Sequence, residues 1–199
     1  MNQRRKQPGL TRQKILSAVG REFARLGYAG CGIAGIVEAA DLTKGALFHH
    51  FADKQSLAAA WVDEVLATGI GSQWLEPLAA VDSLAGLKRL CRERLETAGG
   101  EDPTFLLSGL SAELARQGGE LAHRVDSLYG AWRTAITEAL ERGRRYGWIY
   151  SSVKPSGEAA LLVALVTGAL LQAGANPDPE VRLACLTAME DYLETLRKA

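Results

Sequence analysis

Thr43-Lys44-Gly45-Ala46-Leu47-Phe48-His49-His50-Phe51 is the stretch on which the reading of this chain rests. Wound at 3.6 residues per turn, it places Leu47 and Phe51 one above the other and sends Thr43, Lys44, Phe48 and His49 to other faces. Thr43 suits the cap position, where its hydroxyl accepts a hydrogen bond from a first-turn amide. Lys44 and the positive helix end are then aimed at an anion, and phosphate is the natural one. Upstream, Ile33, Ile36, Val37 and Ala40 mark a second short amphipathic helix, separated from the first by Asp41-Leu42. Two short helices joined by a turn of three or four residues form a helix-turn-helix, whose second helix enters the DNA major groove.

On the N-terminal side, Thr11 is expected to cap a helix running to Leu26, with Ile15, Val19, Phe23 and Leu26 on one stripe and Gly27 as its stop. Before it lies a polar arm with Arg4, Arg5 and Lys6, either a solubilising terminus or an arm that reaches a groove or phosphates. On the C-terminal side, Asp53 is expected to cap a helix over 54–76, which places Lys54 and free amides near the DNA backbone. Thr68-Gly69-Ile70-Gly71 has poor helix propensity and predicts a kink. Further helical patterns cover 83–97, 103–117, 120–146, 156–173 and 179–197, punctuated by Gly- and Pro-rich turns. No strand of useful length and no repeat is legible.

The expected fold is therefore all-α, with about nine helices. It divides into a basic arm (1–10), a three-helix DNA-reading unit (11–53) and a larger helical domain (54–199), a reasonable division for 199 residues of which 47% are apolar. The formal net charge is zero, but it is segregated. Residues 1–54 hold nine Lys and Arg against four Asp and Glu, a net of +5 that leaves −5 on the remainder. The basic part contains the candidate recognition helix, as a nucleic-acid partner requires. The longest apolar run, 159–171, is interrupted by Thr167 and Gly168 and reads as a buried helix, so no membrane partner is expected. Three widely spaced cysteines without a Cys-x-x-Cys pair fit a reduced cytoplasmic protein.

From Thr11 to Leu57 the chain resembles the DNA-binding domain of the TetR (tetracycline repressor) family. The resemblance is carried by Phe23, Gly27-Tyr28, the run from Ala40 to Phe51, and Asp53-Lys54. It implies a homodimeric, all-helical transcription regulator, usually a repressor, released from a double-stranded DNA operator by a small-molecule effector whose identity is unknown. DNA contacts are then expected from Arg4, Arg5, Lys6, Gly32, Thr43, Lys44, Gly45, Ala46, Phe48, His49 and Lys54. Four positions depart from the family pattern. Cys31 and Gly32 stand where Thr or Ser is common, which removes a capping hydroxyl. Asp41 replaces a turn Gly, and Asp tolerates the left-handed backbone better than most residues. Phe48 replaces Tyr, losing a phosphate-bonding hydroxyl while keeping a surface for a thymine methyl.

The same resemblance places the ligand cavity among helices that carry Trp61, Trp74, Phe105, Leu106, Leu110, Glu113, Trp132 and Ile136. Glu113 is the polar exception: either an exposed helix residue or a pocket acceptor selecting a cationic or hydroxylated ligand. The last two helices are more apolar than one buried stripe needs. Leu162, Leu165, Val166, Ala169, Leu186, Met189 and Leu193 are therefore expected in a four-helix dimer interface.

Other chemistries find weaker support. Gly30-x-Gly32-x-x-Gly35 matches a dinucleotide fingerprint, but a helix precedes it where a strand is required. Ser151-x-x-Lys154 has acyl-transfer spacing without its partner motifs, so no catalytic residue is expected. Adjacent His49 and His50 diverge on a helix and have no carboxylate or thiol one turn away, so no metal or cofactor is expected. Cys31 at a helix start reads as packed, with an acidified redox-sensing thiol as the alternative. A helical small-molecule- or protein-binding module with degraded operator recognition is the alternative function.

Overall fold

A computed structural model describes residues 8–115, 118–175 and 179–198. Among them all regular structure is helical, apart from an isolated bridge between Ile149 and Arg197.

Helix α1 spans Pro8–Gly30 and begins earlier than the sequence suggests, so Thr11 lies inside its first turn rather than at its cap. Gly27 interrupts it with φ 70°, ψ 173°. Ile15, Leu16, Ala18, Val19 and Phe23 are buried, but Leu26 is not, because a stripe is covered only as far as its neighbours extend. Helices α2 (Ile33–Ala39) and α3 (Lys44–Phe48) complete the small unit.

Helix α4 runs through 54–80 and joins the two parts. It contains π turns at Val62–Leu66 and Gly71–Leu75, which flank the segment expected to kink. The backbone between them remains right-handed helical. Gly69 serves packing instead of a break: a Cβ there would fall 2.4 Å from Pro103 Cγ.

Five helices follow: α5 (Leu84–Thr97), α6 (Pro103–Leu114), α7 (Glu120–Tyr146), α8 (Pro155–Ala175) and α9 (Pro179–Glu194). Their ends follow local chemistry. Ser83 and Asp102 accept first-turn amide hydrogen bonds at α5 and α6, and Gly147 closes α7 in the left-handed region. Ion pairs tie the layers together: Arg92 with Glu190 and Lys88 with Glu194 join α5 to α9, and Arg124 with Asp63 joins α7 to α4.

The interior is centred on Trp74 and Trp132, whose rings lie 4.5 Å apart. The segment Pro155–Gly174 of α8, with mean hydropathy 1.5, is long and apolar enough to cross a bilayer. It is longer than the apolar run 159–171 because flanking Pro155–Glu158 and Gln172–Gly174 extend the helix while adding one charge, Glu158. In the fold, α8 buries one face against α7 and α9 and leaves Leu161, Leu165 and Leu171 exposed.

Candidate nucleic-acid interface and the seam behind it

The reading unit is held together by apolar contacts on one side only. Leu47 and Phe51 are buried as their spacing requires, and α3 packs against α2 and α1. The regular helix stops at Phe48, with turn hydrogen bonds carrying the chain to Phe51, so α3 is shorter than the stretch that encodes it. Thr43 caps it: Ala46 N donates to Thr43 Oγ1 at 3.1 Å. Asp41 adopts φ 52° in the turn, the left-handed conformation that its position demands.

Anchoring Leu47 leaves Thr43, Lys44, Gly45, Phe48 and His49 exposed and Ala46 half-buried. Phe48, 49% exposed, is a large apolar side chain on the outer face of α3. Beside them lies an open concavity of about 530 Å³, bordered by Thr43, Gly45, Ala46 and His49, and by Thr11, Leu42 and His50. None of these last three is among the DNA contacts expected from the sequence. Thr11 reads there as a cap, and its approach to α3 depends on how α1 crosses the unit. Gly32 is an exposed cap of α2 without a side-chain hydrogen bond.

One expectation changes here, and one alternative falls away. Lys54 does not point outward: its Nζ sits 4.6 Å from the centroid of the Tyr28 ring and donates to the Ala29 carbonyl at 3.4 Å. Tyr28 and Ala29 offer it a π face and an acceptor within reach of the start of α4, so the cation turns inward. Cys31 is buried, and burial pushes its thiol up, away from the thiolate a redox sensor needs. Arg4, Arg5 and Lys6 lie outside the described residues.

Behind the reading unit, α1 meets α6. Tyr28 N donates to Glu113 Oε1 at 2.9 Å and Ala29 N donates to Oε2 at 2.7 Å. The carboxylate thus takes two amides that the break in α1 exposes. Gly27 is required: a Cβ there would lie 2.5 Å from Glu113 Oε1, and its φ is positive. Trp61, Phe105, Leu106, Leu110 and Glu113 all border a cavity of about 180 Å³ in this seam, together with Phe23, Ala24, Gly27, Tyr28 and Gly109 from α1 and α6. Trp74, Trp132 and Ile136 are instead interior packing residues. Trp74 and Trp132 pack with their ring planes tilted by 41°, and Trp74 Nε1 donates to Thr104 Oγ1 at 2.9 Å, so these rings fill space.

The family models match this architecture in both parts. Residues 15–61 match the model for bacterial regulatory proteins of the tetR family, and residues 84–198 match the C-terminal domain of BetI-type transcriptional repressors. The chain belongs to the TetR family of transcriptional regulators. Within it, the chain is 30% identical over 168 residues to the HTH-type transcriptional regulator LmrA of Bacillus subtilis, covering 82% of this chain and 86% of that protein. It is also 30% identical over 171 residues to the A-factor receptor protein of Streptomyces griseus, covering 83% of this chain and 56% of the receptor. The chain therefore spans little more than half of that relative. A TetR-family regulator from Cytophaga hutchinsonii has the same fold, with a TM-score of 0.86 at 20% identity and 98% of each chain covered.

The last two helices of this TetR-family chain also require a correction. Leu162, Val166, Leu186 and Leu193, expected at a dimer interface, are buried inside the protomer. Their positions on α8 and α9 face each other and α7, so one subunit already covers them. Leu165, Ala169 and Met189 do border an open apolar groove of about 450 Å³, alongside Leu161, Ala164 and Ala188. The outward face is thus displaced around each helix from the one that apolar content alone suggested.

Proposed function

We propose that this protein is a homodimeric, ligand-responsive repressor that binds a pseudo-palindromic operator through α3 and is released by a small-molecule effector in the cytoplasm. The observation that carries this reading is α3 itself, with Leu47 buried beneath it and Lys44, Gly45, Phe48 and His49 exposed above. Lys44 supplies a cation for a base edge or phosphate, Phe48 an apolar surface for a thymine methyl, and Gly45 and Ala46 close approach. Arg4, Arg5 and Lys6 add phosphate contacts from the arm.

One α3 reads only half a site. Pairing two subunits through the outer faces of α8 and α9 sets two recognition helices about one duplex turn apart, ~34 Å, on a two-fold site. Exposed Leu161 and Leu165, flanked by small Ala164 and Ala188, suit such a four-helix contact.

Fluorescence anisotropy on DNA from upstream of the protein's own gene, against random duplex at several salt concentrations, tests the reading. Selective, salt-steep binding is the expected result. Lys44→Ala should weaken operator binding by about 1–3 kcal/mol. Leu165→Glu, which places a charge in the proposed interface, should yield monomers in sedimentation and abolish cooperative operator binding while the protomer stays folded. Equally weak binding to both duplexes would favour a helical binding module with degraded operator recognition, a reading supported by the bare Gly32 cap and the missing hydroxyl at Phe48.

A further inference from the structure

The α1–α6 seam has a definite chemical character. Phe23, Tyr28, Trp61 and Phe105 bring four aromatic rings to a cavity of about 180 Å³, and Glu113 brings a carboxylate to the same wall. Phe23 meets both Trp61 and Tyr28 edge to face, at 5.2 and 5.6 Å, so the aromatic wall is continuous. The partners of Glu113 are two backbone amides, which are neutral, and among the described residues no Lys or Arg pairs with it. A cation beside the seam, Lys54, is turned to the Tyr28 ring and the Ala29 carbonyl. Tyr28 therefore already engages one cation through its ring. Burial, and after it the charges of Asp53 and Glu113, raises the Tyr28 hydroxyl above its ordinary range.

Aromatic faces with an unneutralised carboxylate complement a compact positive charge carried on an apolar body. A neutral ligand gains the apolar contacts alone, and an anion is opposed by Glu113. We propose that this seam is a binding site for a small organic cation of the arylamidine or arylalkylamine class, and that its occupancy weakens operator binding. The proposal rests on the regulator reading above. Its coupling follows from the hydrogen bonds: N–H donors of a bound cation compete with Tyr28 N and Ala29 N for Glu113, and those amides belong to the helix that carries the reading unit. A ligand that binds the released arrangement better shifts the population toward it. Gly27 is part of the device, because only a residue without a Cβ lets the carboxylate reach the two amides.

Isothermal titration calorimetry of the full chain without DNA tests the site, using benzamidinium, its neutral near-isostere benzamide, and benzoate. Benzamidinium should bind at least about tenfold more tightly than benzamide, with no binding of benzoate. Glu113→Gln should erase that preference. Phe105→Leu, which keeps bulk and removes a ring, should lower benzamidinium affinity while leaving benzamide nearly unchanged. Equal affinities for benzamidinium and benzamide, no benzamidinium binding, or a preference that survives Glu113→Gln would overturn the proposal. Anisotropy on the operator then reads the coupling: saturating benzamidinium should weaken binding about fivefold or more in the wild type and not in Glu113→Gln. Bound cation with unchanged operator affinity overturns the coupling. A ligand-free protein that binds no operator at all defeats the regulator reading instead, while the calorimetric result stands by itself.

Discussion

Trp61 and Trp74 sit on the same helix, both about 1% exposed, and their surroundings differ. Trp74 packs at a tilt against Trp132 and donates its indole N–H to Thr104. Trp61 meets Phe23 edge to face, borders cavities on both sides, and its buried indole N–H has no hydrogen-bond partner among the described residues. The far end of α4 is thus filled, although the Trp132 indole N–H there is also buried without a partner among the described residues, and the near end, where the reading unit joins, is hollow. Interiors that are filled transmit strain and resist change, while under-packed seams yield first. A regulator whose reading unit must respond to events in the other domain is well served by placing its loose packing at this junction.

The largest expected effect lies at the filled end. Trp74→Ala should cost about 3–5 kcal/mol of stability, because it removes a buried ring that its neighbours cannot replace. Denaturant unfolding would register this as a lower midpoint, and a loss under 1 kcal/mol would mean that the two ends do not differ. Next in size is the contrast between two Trp→Phe exchanges. Trp74→Phe strands the Thr104 hydroxyl and should cost about 1–3 kcal/mol, whereas Trp61→Phe removes an unpartnered buried N–H whose loss offsets part of the packing lost. Trp61→Phe should therefore be the milder substitution, and the reverse order would contradict the assignment of the seam as unsatisfied.

The smallest effect is a pH dependence at the near end. The Arg12 guanidinium, by hydrogen bond and charge, holds the Glu64 carboxyl below its usual range, and the Ser56 amide at the start of α4 does the same for Asp53. Groups whose folded values are lowered stabilise the fold fully above the ordinary carboxylate range and lose that contribution as pH falls through the lowered values. Thermal midpoints should hold from pH 7 to about 5 and decline below about 4. Both groups are exposed, so the decline is modest. Arg12→Ala should flatten the Glu64 part of it, and an unchanged acid limb would remove this pair from the account.

Much of this molecule is legible in its residues. Local chemistry fixed the helix starts at Thr43, Asp53, Ser83 and Asp102 and the stop at Gly147, because a cap is a property of a few adjacent residues. The spacing of Leu47 and Phe51 determined which side of α3 is inward, and with it which side chains are left exposed. The departure at Asp41 was also readable, since a short polar side chain is one of the few that tolerate its backbone.

Only the tertiary structure decided how faces are covered. Apolar content marked α8 and α9 as interface-forming, but burial of Leu162, Val166, Leu186 and Leu193 depends on which neighbours already cover them. Lys54 turned inward because Tyr28 and Ala29, distant in sequence, offered a ring and a carbonyl. Glu113 carried two readings as a residue, exposed or pocket-lining, and proved to be a clamp on amides eighty-odd positions away. Periodicity records the side of a helix on which a residue falls, but the long-range packing of α1 against α6 sets what stands opposite it.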